Sequence, residues 1–207
     1  MFLSSHNQES NQHSYRLSTK SLIKIQVLSG AIFSIFLLLH LGNTLSSIFG
    51  YEVYNKYQEI AQWYYQNPAV EFPLVIFPLL AHSSVGVLLF IRRRKSKKQQ
   101  RTLAQKIHSL MGLILLFVVF GHIAATRGIS LYANTNVGFG GIAFTFKWMP
   151  LYFYPYYFIL FMAGFYHAIN GLSLIFKKIG LPSLNENKRL RKTIFSLASI
   201  MVIVSLL

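Results

Sequence analysis

The chain has 207 residues, is 53% hydrophobic and only 12% charged, and carries twenty Lys and Arg against five Asp and Glu, a formal net charge of +15. A chain this apolar belongs with membrane proteins rather than soluble domains, and bases that flank apolar runs point to membrane topology rather than nucleic-acid binding. The absence of cysteine excludes a disulfide framework, a cysteine-ligated iron–sulfur cluster and haem attachment through Cys-x-x-Cys-His, leaving His, Met, Tyr or carboxylate to hold any metal or haem.

Residues 1–20 (MFLSSHNQESNQHSYRLSTK) are polar and are expected to form a disordered tail, with residues 21–207 as one transmembrane unit. Four apolar runs, at about 22–48, 69–91, 107–126 and 153–176, approach the ~20 residues a bilayer requires. A fifth, 194–207 (IFSLASIMVIVSLL), is shorter. The expected fold is therefore all-α, a five-helix membrane bundle. Pro73, Pro78 and Pro155 are tolerable there, because neighbouring helices can re-satisfy freed carbonyls.

Orientation follows from the bases. All but Lys24, Lys56, Arg127 and Lys147 fall in the tail or in the 92–106 and 177–192 loops, and Lys24 stands at the inner start of the first run. The positive-inside rule then puts the N-terminus and both basic loops on the cytoplasmic or matrix side of a bacterial inner or mitochondrial membrane. Opposite them, WYYQ (63–66) and LYFYPYYF (151–158) are expected as aromatic outer loops at headgroup level.

The first four runs form a tandem duplicated hairpin. An offset of 82 superposes Lys24 on Lys106, Gly30 on Gly112, His40 on His122 and Thr44 on Thr126. An offset of 85 superposes His82 on His167, Gly86 on Gly171 and Arg92 on Lys177. Both copies start on the same side, so the repeat axis lies along the membrane normal. At 1.5 Å per residue, His40 and His122 sit roughly 24 Å from the basic surface and His82 and His167 roughly 15 Å from it. Gly30, Gly86, Gly112 and Gly171 all sit roughly 9 Å deep. A row of glycines lets helices pack closely, and it also admits a flat, wide ligand whose edges pass between backbones.

Ionisable groups inside a bilayer are costly and usually mark a pathway or a ligand. A divalent metal needs three or four convergent donors, which two levels about 9 Å apart do not provide. A proton relay calls for carboxylates, yet the acid nearest these spans is Glu71, at the mouth of the second. Two b-type haems, each held by two imidazoles at one depth, fit the pattern. Ser29, Ser83, Ser84 and Asn170 are candidates to orient those imidazoles or to cap propionates. His108 lies at the basic entrance of the third span, and His6 and His13 lie in the tail; none of the three receives a role. No catalytic dyad, nucleophile or phosphate loop is evident.

Five spans with a histidine in each of the first four resemble the di-haem cytochrome b membrane anchor of succinate dehydrogenases and fumarate reductases. The resemblance implies ligand pairs His40 with His122 and His82 with His167, two haems b, electron transfer with a quinone, and docking of flavoprotein and iron–sulfur subunits. HLGN (40–43), NPAVEFP (67–73), NTNVGFGG (134–141) and FYPYYF (153–158) further resemble a branch that includes the transmembrane domain of fungal mitochondrial adaptor proteins. That branch implies the alternative of an adaptor or scaffold recruiting a lipid-transfer protein. Two departures stand out: Ser173 occupies the place of an Arg that many mitochondrial anchors carry, and the tail lacks the proline of the adaptors' recruiting segment.

Overall fold

The computed structural model describes residues 17–95, 102–135, 137–180 and 188–206, and every regular element among them is helical. The tail expected for residues 1–20 lies outside the described residues up to position 16, as do His6 and His13, while Thr19 and Lys20 already belong to the first helix.

Helix α1 (Thr19–Ser46) begins where Ser18 accepts a hydrogen bond from the Ser21 amide at 3.1 Å, which satisfies one of the orphan donors of a helix start. After a 3-10 turn (Ser47–Phe49) and Gly50, whose φ of 100° only glycine adopts readily, comes α2 (Tyr51–Tyr65). Asn67 then caps α3 (Pro68–Lys95), its side chain accepting from the Ala69 amide at 3.0 Å. Thr102 and Gln105 form a capping box at the start of α4 (Leu103–Ala133). Helices α5 (Phe139–Trp148), α6 (Pro150–Lys178) and α7 (Lys188–Leu206) follow.

Among the described residues four helical segments are long and apolar enough to cross a membrane: Thr19–Phe49, Pro68–Lys95, Leu103–Ala133 and Pro150–Lys177. Helix α7, which holds the expected fifth run, begins among bases and packs along α6 and α1, touching the Ser47–Phe49 turn at the outer end of α1. Phe161 and Ala198 are the buried centre of that contact, with Leu41, Leu45, Met162 and Phe165 around them.

The outer segments differ from the expectation of aromatic loops. WYYQ closes helix α2, and LYFYPYYF is the opening of α6, where Pro155 sits inside the helix. Apolar side chains on α2 such as Val53, Ile60 and Trp63 face outward while Tyr54, Ala61 and Gln62 are buried, a two-faced pattern suited to a membrane interface.

Each half pairs its own two long helices, α1 with α3 and α4 with α6, and the halves meet chiefly along α1 and α6. Two stretches of wider, π-type winding, Phe72–Ile76 in α3 and Ala124–Gly128 in α4, lie at the outer ends of these helices. The first contains Pro73, whose missing N–H disturbs the regular ladder. The second carries Arg127, which donates from Nε and Nη2 to the two Glu71 oxygens at 2.8 Å each and from Nη1 to Gln66 Oε1 at 3.2 Å. This fork ties the outer end of α4 to the start of α3 and so closes the bundle between its halves. At the inner end Arg92 donates to the Leu17 carbonyl at 2.9 Å.

Removing the guanidinium strands a half-buried carboxylate, a cost between that of an exposed and a buried ion pair. Arg127→Ala is expected to destabilise the detergent-solubilised protein by about 1–3 kcal/mol, with Glu71→Gln milder, as read from thermal unfolding. An unchanged melting temperature for Arg127→Ala would mean the fork carries no structural load.

Candidate functional site

The four intramembrane histidines come together as two couples across the bundle. His40 on α1 and His122 on α4 have ring centroids 5.8 Å apart, with their planes at 68°. His82 on α3 and His167 on α6 have centroids 5.9 Å apart at 88°. Each couple joins helices that are diagonal rather than adjacent, as a repeat axis along the bundle requires.

The lower couple, nearer the basic face, is held by a device present in both copies. His82 Nδ1 lies 3.1 Å from the Gln26 carbonyl and His167 Nδ1 lies 3.3 Å from the His108 carbonyl. A carbonyl accepts only, so Nδ1 carries the proton in each ring and the Nε2 lone pair is left to face another group. Gln26 and His108 are themselves equivalent under the 82-residue offset, and each stands four residues before a glycine of the lower row.

Those glycines explain how a ring reaches a carbonyl already committed to its own helix. A Cβ at Gly30 would stand 2.8 Å from His82 Cε1 and 2.9 Å from its Nδ1, and one at Gly112 would stand 3.0 Å from His167 Cε1 and 3.3 Å from its Nδ1. Both histidines therefore lie directly on the backbone of the facing helix in their own hairpin. The other two glycines behave differently. Gly86 gives room to the Gln26 amide, whose Nε2 would be 3.3 Å from an added Cβ, and nothing lies within 4 Å of one at Gly171. The glycine level thus seats imidazoles in its first and third helices.

Around the rings the copies diverge. Gln26 Nε2 donates to His82 Nε2 at 3.0 Å, whereas the His108 ring lies face to face with His167 at 4.2 Å and 7°. Phe36 lies nearly parallel to His40 at 5.7 Å and 16°. Of the four residues expected to orient imidazoles or cap propionates, Ser29, Ser84 and Asn170 are engaged or turned elsewhere than onto the imidazoles. Ser29 and Asn170 bond to the Ile25 and Tyr166 carbonyls of their own helices, at 2.7 and 2.8 Å, and Ser84 is exposed. Gln26 and His108 take that place, and the repeat offset combined with the glycine spacing was the signal for them.

Above the upper couple, polar side chains tie the outer segments together. Buried Asn43 donates to Gln58 on α2, and Gln58 donates to the Val137 carbonyl at 3.3 Å. Asn55 accepts from the Phe139 amide at 2.9 Å, and Tyr54 packs edge-on against the Phe139 ring. HLGN and NTNVGFGG therefore meet on α2.

The donor set suits a bis-imidazole iron. Sharing one metal puts imidazole centroids about 6 Å apart, from two bonds of about 2 Å and about 1 Å from each nitrogen to its ring centre. Both couples have that separation, and the lower one has its Nδ1 protons directed away onto carbonyls. Among the described residues no three His, Cys, Asp or Glu cluster as a compact metal site would need.

The family model of the succinate dehydrogenase/fumarate reductase transmembrane subunit matches residues 92–207, more than half of the chain, and the chain belongs to that family. The match takes in α4, α6 and α7, with His122 and His167, and leaves the first hairpin outside it. No curated protein and no solved structure matches the chain. With its four apolar spans, the chain is an integral membrane protein of the cytochrome b-type anchor kind.

The seats can be tested by adding one methyl group. Gly30→Ala and Gly112→Ala should each cost about 1–3 kcal/mol as the ring is pushed off its carbonyl, with Gly30→Ala the more severe. Gly171→Ala should leave the melting temperature unchanged; equal effects at all three positions would show that the glycines serve helix packing generally.

Proposed function

We propose that this membrane subunit is a b-type cytochrome that holds two haems, one between His40 and His122 and one between His82 and His167. The observation that carries the reading is the pair of diagonal imidazole couples, 5.8 and 5.9 Å apart, built twice by one duplicated hairpin. A single buried histidine is readily explained as helix packing; four, sorted by depth and matched across the bundle, are not.

Each side chain has a defined task. The four histidines offer Nε2 as axial donors. The Gln26 and His108 carbonyls fix the tautomer of the lower two and increase their basicity by accepting the Nδ1 proton. Gly30 and Gly112 set how far those rings stand from the facing helix. Apolar α1, α3, α4 and α6 surround the couples, and the Asn43–Gln58–Asn55 contacts roof the outer side. Haem, when bound, supplies a one-electron couple whose potential is set by bis-imidazole ligation and burial. The chain's own residues do no bond-making chemistry.

The reading extends to topology and partners. The basic ends of α3, α4, α6 and α7 support, through the positive-inside rule, an N-terminus on the cytoplasmic or matrix side. That basic face is where a soluble dehydrogenase, with its flavoprotein and iron–sulfur subunits, would dock, and a quinone in the bilayer would be the other electron partner.

A reduced-minus-oxidised spectrum of the purified protein should show a b-type signal with two haems per chain. His40→Ala and His122→Ala should each remove the same haem, and His82→Ala and His167→Ala the other. Combining both substitutions of one couple should be no worse than either alone. A stable, colourless wild-type chain would overturn the reading and favour a membrane adaptor that keeps the fold without the cofactor.

A further inference from the structure

We propose that His108 is a positioning residue: its ring, stacked on His167, fixes the plane in which His167 presents Nε2 to the lower iron. The inference rests on the two-haem reading and adds to it a residue outside the four ligands, together with a spectroscopic property that this residue sets.

The duplication supplies an internal control. Both lower histidines donate from Nδ1 to a backbone carbonyl, Gln26 in one copy and His108 in the other, at 3.1 and 3.3 Å. One hydrogen bond fixes the position of an imidazole edge but leaves the ring able to pivot about the N–H···O line. Fixing the plane requires a second contact, and here the copies part. In the first copy the Gln26 amide lies only at the ring's edge, 3.0 Å from His82 Nε2, on the lone pair that an iron would take over, so it sets no plane once haem is bound. In the second the contact is the whole face of the His108 ring, 4.2 Å from the His167 centroid and within 7° of parallel.

A face contact resists pivoting because any tilt drives one side of the ring into its neighbour and lifts the other side away, forfeiting dispersion contact. An edge contact offers no such resistance. His167 is therefore clamped and His82 is not, and the crossed arrangement of the lower couple, 88°, is maintained from the His167 side. A merely space-filling role for His108 would be met by any side chain of similar bulk. A plane-setting role demands a flat one.

The relative orientation of two axial imidazole planes governs how the iron d orbitals split, so the low-spin ferric signal in electron paramagnetic resonance reads it directly. Crossed planes give a strongly anisotropic signal, and planes nearer to parallel give a more ordinary rhombic one. The informative variant is His108→Gln, since glutamine is what the first copy carries at this position. Haem content should remain two per chain. The signal of the haem lost in His82→Ala should become less anisotropic and its midpoint potential should shift, while the other haem is unmoved. His108→Phe, which restores a flat ring without its nitrogens, should return the signal towards wild type.

Two haems with a lower signal unmoved by His108→Gln, or one that His108→Phe displaces as far as His108→Gln does, would overturn this inference and leave the two-haem reading intact. A wild-type chain without haem would overturn both. Should His108→Gln lose the lower haem altogether, retention of haem and signal by His108→Phe supports the clamp, and loss in both variants refutes it.

Discussion

A backbone carbonyl inside a helix is already occupied by the amide four residues on, and reaching its second lone pair requires another group to lie against the helix itself. His82 and His167 do this at Gln26 and His108 because the residue four positions on is glycine each time. The arrangement decides three things at once. It satisfies the imidazole donor within a low-dielectric bundle, where an unmet hydrogen bond is expensive. It selects the tautomer that makes Nε2 the lone-pair donor, and in His82 that lone pair receives the Gln26 amide. It also limits how closely α1 approaches α3 and α4 approaches α6 at that depth, since each ring lies directly against the facing backbone.

The rest of the architecture can be seen as maintaining the alignment of two such hairpins. They meet chiefly along α1 and α6, with α7 packed over that seam through Ala198 and Phe161. On the opposite side, the Arg127–Glu71–Gln66 fork joins α4 to α3 at the outer end. Arg127 is one of few bases on the outer side and Glu71 one of few acids in the whole chain, and the structure spends both on one contact. Helix α2 completes the enclosure by accepting the segment before α5 through Asn55 and Gln58. Polar residues are thereby concentrated where helices end, and the spanning segments hold little besides their histidines, glycines and serines.

What was legible in the sequence was whatever depends on position along a helix. Hydropathy gave the four long apolar segments, the 82- and 85-residue offsets gave the duplication, and axial rise gave two histidine levels. What was not legible depends on rotation about the helix axis and on the paths of the connections. Ser84 sits beside a histidine-bearing stretch yet faces outward, and Ser29 and Asn170 turn back to their own helices. Gln26 and His108 looked unremarkable because their role depends on which side of α1 and α4 faces the partner. Tyr51–Tyr65 and Phe139–Trp148 were hidden as helices because both fall in the stretches between the long apolar runs, where hydropathy alone reads only a connection. The π-type turns at Phe72–Ile76 and Ala124–Gly128 have no compositional signature beyond Pro73 in the first.

The two copies are alike in their histidine positions and unlike in the residues that touch the rings. In the upper couple, Phe36 lies along the face of His40, and the 82-residue offset puts Val118, which has no ring, beneath His122. In the lower couple, the aromatic face contact comes from His108 in the second copy, and the first copy has Gln26 there. An aromatic ring thus lies along His40 of the first copy in the upper couple and along His167 of the second copy in the lower couple. Each hairpin therefore contributes one aromatic-backed imidazole, the first at the upper level and the second at the lower, so the duplication repeats the histidine positions while the side chains against the rings have diverged.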